Sequence, residues 1–338
     1  MGAITFDPGV LADVLSETAG YKAGLALSVD ELCDHLSDTS HVETLVASEK
    51  HAVRLRSEDY EDLFYKLLHR IGHTADEYDG DYLGIKLYHK YRETAPGQWE
   101  GVQRLFVEIW PRLMEETRAS GATTIDPRPF IRAAHEKYGR LGLDMAVERL
   151  EVLDRALRLS PHSAQRYVDW RSPAKLNALF KGDRAEPEFG RFIDQRYIDY
   201  LSNNGHKIGD IHWRKFEQLT AEFFDREGYV VELGPGSNDD GVDVRIWQHG
   251  KEPGESPHCL VQCKRQRDKV ERVVVKGLLA DVSFEGADFG LVVTTSELSP
   301  GARSTIASRG YPIDEVNKVG LAEWLKKLRT PGTGIVRV

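Results

Sequence analysis

The chain has 338 residues, with 45 Lys and Arg against 54 Asp and Glu, a formal net charge of -9. A protein that neutralises phosphates usually carries a basic excess, so the whole-chain balance argues against nucleic-acid binding. Hydrophobic content of 41% with 29% charged residues excludes a disordered chain. No apolar run reaches the roughly 18 residues of a membrane span, and no basic-then-apolar leader opens the sequence, so a cytoplasmic protein with no membrane partner is expected.

Residues 1 to about 200 read as helix after helix. From Ser57 onward, Tyr60, Leu63, Phe64, Leu67 and Leu68 recur at helical spacing behind an acidic first turn. Trp99, Val102, Leu105, Phe106, Ile109 and Leu113 repeat the pattern, with Pro111 expected to kink or break it. Asp126 before Pro127 predicts a helix start, and Met145 to Leu159 a further apolar helix. His69 and His73 stand one turn apart, but Arg70 lies where a zinc protease carries Glu, so a solvated or capping role is expected. Residues 1–185 are thus predicted to form an all-α domain serving sensing, oligomerisation or target selection. A Gly/Asp/Arg/Pro stretch from Lys181 to Pro187 reads as a linker. Residues 186–210 are predicted to connect onward through a helix whose apolar face is Phe189, Phe192, Ile193, Tyr197 and Leu201.

After Asp210 the pattern becomes α/β, and residues 211–338 are predicted to form a second domain. Residues 212–228 form an amphipathic helix, followed by strands at Tyr229 to Leu233, Gly241 to Gln248 and Cys259 to Lys264. A helix from Glu271 to Glu285, a strand from Phe289 to Thr295, a helix opening at Ser299-Pro300, a short strand at Tyr311 to Asp314 and a helix from Leu321 to Leu328 complete the order. Cys259 and Cys263 lack a companion Cys/His pair at zinc-site spacing, so they are expected to be reduced thiols.

Polar residues inside an apolar strand need a partner or a task. In Leu260-Val261-Gln262-Cys263-Lys264, period-two alternation puts Gln262 and Lys264 on one face. If the strand containing Asp243 is its hairpin neighbour, Asp243, Gln262 and Lys264 converge on one sheet face. Oxygen ligands from Asp243, Gln262 and a backbone carbonyl suit a magnesium ion that keeps several waters, and Lys264 is placed to orient an attacking water and neutralise a phosphorane-like state. Glu217, beside Phe216 on the preceding helix, is placed to complete the metal shell. Phosphodiester hydrolysis is the chemistry this set suits.

The helix with Glu217, the segments Gly228-Tyr229-Val230-Val231-Glu232, Asn238-Asp239-Asp240-Gly241-Val242-Asp243 and Val261-Gln262-Cys263-Lys264-Arg265, and Val293-Thr294-Thr295-Ser296 together resemble the Mrr-type restriction endonuclease catalytic domain of the PD-(D/E)xK nuclease superfamily. The resemblance covers roughly Asp210 to Leu328 and implies an αβββαβ core with a mixed sheet flanked by helices. It implies Asp243 as metal carboxylate, Gln262 in place of the usual acidic ligand, Lys264 as catalytic lysine, Glu217 as auxiliary acid and Asp240 as a second acidic position. Mg2+ is the implied cofactor, with Mn2+ as a substitute.

The charge is unevenly placed. From residue 201 onward there are 19 basic and 20 acidic residues, so the acidic excess belongs to the earlier part of the chain. Beside the catalytic strand, Lys264, Arg265, Arg267, Lys269 and Arg272 gather as a candidate DNA-backbone surface. The expectation is a Mg-dependent endodeoxyribonuclease of restriction or anti-phage defence, with a homodimer or higher oligomer and an activating ligand or partner protein at the helical part as further expectations. A non-cleaving nucleic-acid-binding module and an RNA-directed nuclease are the alternatives.

Overall fold

The computed structural model describes residues 2–37, 41–74, 77, 85–122, 124–162, 171–182, 186–236 and 241–329. The chain divides into two compact units, Tyr78–Gln165 and a second that joins Met1–Glu77 to Arg166–Val338. The division therefore does not fall at residue 185. Residues 1–77 pack with the C-terminal domain, and it is the stretch between them in sequence that stands as its own unit.

The larger unit opens with β1 (Ala3–Phe6), α1 (Val10–Ala23), β2 (Leu25–Ala26), α2 (Val29–His35), α3 (His41–Ser48), β3 (Val53–Arg56) and α4 (Ser57–Arg70). Ser28 and Glu31 form a reciprocal capping box that starts α2. The apolar stripe of α4 is buried as its spacing predicts, with Leu63, Phe64, Leu67 and Leu68 at 1% exposure or less. This lobe is not purely helical: β1 pairs antiparallel with β3, and β2 pairs parallel with β4 (Ala174–Lys175), which follows the smaller unit in sequence. Strands of two to four residues are too short to show an alternation.

The smaller unit contains α5 (Ile85–Arg92), α6 (Pro96–Ser120) and α7 (Arg128–Leu159) around Leu87, Tyr91, Trp99, Val102, Phe130, Ala134, Met145 and Ala146. Tyr91 stacks on Trp99 with centroids 5.3 Å apart. Helix α6 runs through Pro111 instead of breaking there. The carbonyl that Pro111 leaves without its helical donor belongs to Val107, a residue on the exposed face of the helix (71% exposed). The break lies in α7, at Gly139 with φ +62° and ψ -149°.

After β4, the larger unit continues with α8 (Ala178–Lys181), α9 (Gln195–Asn203), a 3-10 turn (Gly205–Gly209), α10 (Trp213–Arg226), β5 (Val230–Leu233), β6 (Val244–Trp247), β7 (Cys259–Lys264), α11 (Arg272–Glu285), β8 (Phe289–Thr294), α12 (Pro300–Arg309), β9 (Ile313–Val316) and α13 (Lys318–Leu328). The strands make one sheet in the order β5-β6-β7-β8-β9, antiparallel through β7 and parallel from β7 to β9. Helices α10 and α13 pack together, joined by Phe223 stacked 4.0 Å from Trp324. Leu260 of β7 and Val292 of β8 are buried with Val275, Leu278 and Val282 of α11 and Ala302 of α12. Alternation sends Cys263 the other way, and its thiol meets Thr220 Oγ1 of α10 at 3.5 Å. Among the described residues no helix is long and apolar enough to cross a membrane.

The connecting segment differs from the sequence expectation. Phe189 to Ile193 are not helical, because their amides are captured from a distance: Glu222 of α10 accepts the backbone N–H groups of Arg191, Phe192 and Ile193 at 2.9, 2.7 and 3.4 Å. Asp194 then caps α9. Glu222 is 2% exposed and also holds Arg226 at 2.8 Å. Glu222→Ala is expected to destabilise the chain by about 3–5 kcal/mol, since it strands three amides and removes the carboxylate partner of Arg226. Chemical denaturation measures this, and a loss under about 1 kcal/mol would show that the clamp is dispensable.

Helix α9 lies against both lobes of this unit. Arg196, 8% exposed, donates to the Gly24 and Ser172 carbonyls of the helical lobe, while Gln195 donates to the Leu328 carbonyl of α13. At the end of α4, Gly72 has φ +90°, and a Cβ there would sit 2.2 Å from the Asp199 carbonyl. Only glycine permits that approach of α4 to α9.

Candidate active site

The site is built at the C-terminal end of β7. Strand β6 begins at Val244, so Asp243 lies just before it and not within the strand. Its backbone N–H donates to the Val261 carbonyl at 2.9 Å, and its carboxylate accepts the Cys263 N–H at 2.6 Å. Asp243 therefore meets β7 through its backbone, between Gln262 and Lys264, and does not share a sheet face with them by alternation. Gln262 and Lys264 point to the side on which Leu260 packs under α11.

Glu217 enters from α10, the opposite side. It is 6% exposed and accepts from the Arg214 guanidinium at 2.8 Å. Burial, joined by the neighbouring Asp243 carboxylate, pushes its pKa up to about 7 although Arg214 opposes the rise. Two carboxyl groups are thus brought together with little water, where a cation would relieve both their repulsion and their desolvation.

Gln262 is 9% exposed, and among the described residues its buried Oε1 has no hydrogen-bond partner. A buried acceptor left without a donor is costly. Its Nε2 side lies against Gly241, where a Cβ would come within 2.9 Å at φ +94°. Among the described residues no group of three His, Cys, Asp or Glu is assembled for a metal. The hard donors at this end of β7 are the paired carboxylates of Glu217 and Asp243 and, from the other face of the strand, the Gln262 amide oxygen. These are hard ligands, and the open Gln262 Oε1 fits a divalent oxygen-seeking cation that retains several waters.

Lys264 ends β7 half-buried, and no described carboxylate makes an ion pair with its ammonium. Asp240 lies outside the described residues. Of the proposed DNA-facing cations, Arg265 donates to the Gly209 carbonyl at 2.8 Å, Arg267 is 3.6 Å from Asp210, and Lys269 is 2.8 Å from Glu297. Arg272 is exposed in the first turn of α11. The cations are therefore partly engaged, yet Arg267 remains 93% exposed. The thiols of Cys259 and Cys263 are pushed up by burial, which keeps them from acting as thiolates. His69 accepts no role here: it lies at the end of α4 near the Thr74 carbonyl and Asn203.

Sequence reading missed Arg214, although its spacing three residues before Glu217 on one helix is legible as an ion pair. It also missed the Cys263 N–H that fixes Asp243, which no residue type signals.

Residues 208–325, from the 3-10 turn into α13, match the family model of the Mrr catalytic domain, described as restriction endonuclease. A relative from Sinorhizobium fredii (strain NBRC 101917 / NGR234), named Uncharacterized protein y4cE, is 29% identical over 124 residues, which make up 35% of this chain and 31% of the relative. The chain thus spans about a third of that relative. Among solved structures, the MspJI restriction endonuclease in complex with a 27-mer oligonucleotide is 21% identical, over 55% of this chain and 41% of that chain, with a TM-score of 0.28.

Proposed function

From an Mrr-type restriction endonuclease domain at residues 208–325, we propose that the protein is a Mg-dependent endonuclease that hydrolyses DNA phosphodiester bonds, in restriction or anti-phage defence. The observation that carries the proposal is the buried contact of Glu217 with Asp243, whose carboxylate accepts the Cys263 N–H between Gln262 and Lys264 on β7.

In this reading Asp243, Gln262 Oε1 and Glu217 would hold the ion, with Asp240 as a further candidate ligand. A divalent ion bound there would supply charge neutralisation at a phosphate oxygen and a more acidic water. Lys264 orients the attacking water and stabilises the charge that builds on the phosphoryl oxygens. Arg214 holds Glu217 in place, and the Cys263 N–H fixes the Asp243 carboxylate. Arg265, Arg267, Lys269 and Arg272 meet the DNA backbone.

The test incubates the full chain with plasmid DNA and with RNA, with Mg2+, Mn2+ or EDTA. Cleavage of DNA that requires the metal, and that falls by about 10²–10⁴-fold in Lys264→Ala while metal binding persists, is the expected result. Cleavage of RNA alone would move the substrate assignment. Salt-sensitive binding without cleavage under any metal would replace the enzyme by a binding module.

A further inference from the structure

The first residue of α10 is Trp213, 42% exposed although it is among the largest apolar side chains of the domain. It is the immediate neighbour of Arg214, whose guanidinium holds Glu217 in the candidate active site. The indole has a defined seat. A Cβ on Gly236 would come within 3.2 Å of Trp213 Cη2 and 2.8 Å of Arg214 Nη1, so the loop after β5 lies directly against both side chains. Gly236 has φ +82°, the left-handed region that glycine tolerates, and its missing side chain leaves that space to the indole. The His212 ring flanks it, with centroids 5.1 Å apart and an interplanar angle of 36°.

The surroundings are cationic. Arg265, one residue beyond Lys264, is bonded to the Gly209 carbonyl, and Arg267 faces Asp210. Both acceptors lie in the short segment that leads into Trp213. The basic tail of β7 therefore runs beside the approach to the indole, and an anionic backbone that lies along Lys264, Arg265 and Arg267 passes close to a seated, solvent-facing aromatic ring. Aromatic platforms beside a positive track bind nucleobases by stacking, largely without regard to base identity. A paired duplex has no base face to offer, because each is covered by its neighbours; stacking requires a base that is unpaired or turned out.

We propose that Trp213 is a stacking platform for an unpaired nucleobase next to the cleaved phosphodiester, and that the preferred substrate is DNA carrying single-stranded or extruded nucleotides at the cleavage point. The inference rests on the nuclease reading of the same site and specifies its substrate. Arg214 links the two functions, since it contacts the seat of the indole and the metal-side carboxylate together.

The test uses the full chain with Ca2+ in place of Mg2+, and two hairpin DNAs that differ only in whether a 2-aminopurine is paired or bulged. Wild type is expected to bind the bulged probe about tenfold more tightly than the paired one, within the range of one aromatic–base stack, and to quench the 2-aminopurine. In Trp213→Ala the ratio falls toward one and the quenching is lost. Trp213→Phe restores part of both, and the thermal midpoints of the variants establish that they fold. A wild type that prefers neither probe, or a Trp213→Ala variant that keeps both preference and quenching, overturns the inference alone. Failure of wild type to bind either DNA overturns the nucleic-acid reading and the inference with it.

Discussion

Asp243→Asn is expected to reduce DNA cleavage by at least 10²–10³-fold, the scale on which one preorganised electrostatic group contributes to a transition state. The substitution is close to isosteric, and the remaining amide oxygen still accepts the Cys263 N–H, so the link between β6 and β7 survives. What changes is charge. The proposed metal site loses one of its two carboxylates, and Glu217 loses the neighbour that helps hold its pKa up near 7. In metal-free buffer the variant is therefore expected to melt no lower than wild type. With saturating Mg2+ or Mn2+, wild type gains stability by binding and the variant gains much less. A thermal-shift titration run beside a cleavage assay measures both. Wild-type cleavage by the variant, or an undiminished metal-induced shift, would place the metal site elsewhere.

The contrast between those two residues marks how far the sequence could be read. Strand Cys259–Lys264 has the same bounds in the sequence reading and in the structure, because a continuous apolar run interrupted by Gln262 and Lys264 is a strong local signal. Helix α10 and its buried Phe216, Leu219 and Phe223 follow in the same way from period 3.6. Asp243 was legible as a residue but not as a position. Its placement depends on a hydrogen bond to a backbone amide twenty residues away, and the strand expected from Gly241 begins only at Val244. The segment Phe189 to Ile193 carries helical periodicity, yet Glu222 takes its amides from thirty residues further on. Local propensity is a weak prior when a buried carboxylate competes for the same donors. Trp213 was invisible for a different reason: one aromatic at a helix start has no periodic pattern, and only the fold brings Gly236 beneath it.

Removal of residues 1–185 is expected to cost the remaining chain its cooperative fold, and this is the largest stability effect predicted. Sequence pattern alone sets a boundary there, but α9 is buried by what precedes it. Tyr200 is fully buried, 5.6 Å from the His35 ring and 6.3 Å from Phe180 between centroids. Tyr197 donates to the Lys175 carbonyl, Arg196 to those of Gly24 and Ser172, and Asn203 and Asn204 to those of His69, Thr74 and Arg70. The deletion exposes two tyrosines, worth about 1.5–3 kcal/mol each. It also removes two charged hydrogen bonds of the Arg196 guanidinium, which contribute about 1.5–3 kcal/mol each. The sum is on the order of 5–10 kcal/mol, comparable with the 5–15 kcal/mol that holds a typical domain folded. Residues 186–338 should therefore bind a hydrophobic dye and melt without a sharp transition, whereas the full chain melts cooperatively. A fragment that melts as sharply and at the same temperature as the full chain would show that α9 needs no cover. Loss of cleavage in such a fragment then reports unfolding, so the contribution of the acidic N-terminal part to activity is measured by charge substitutions on its surface in the intact protein.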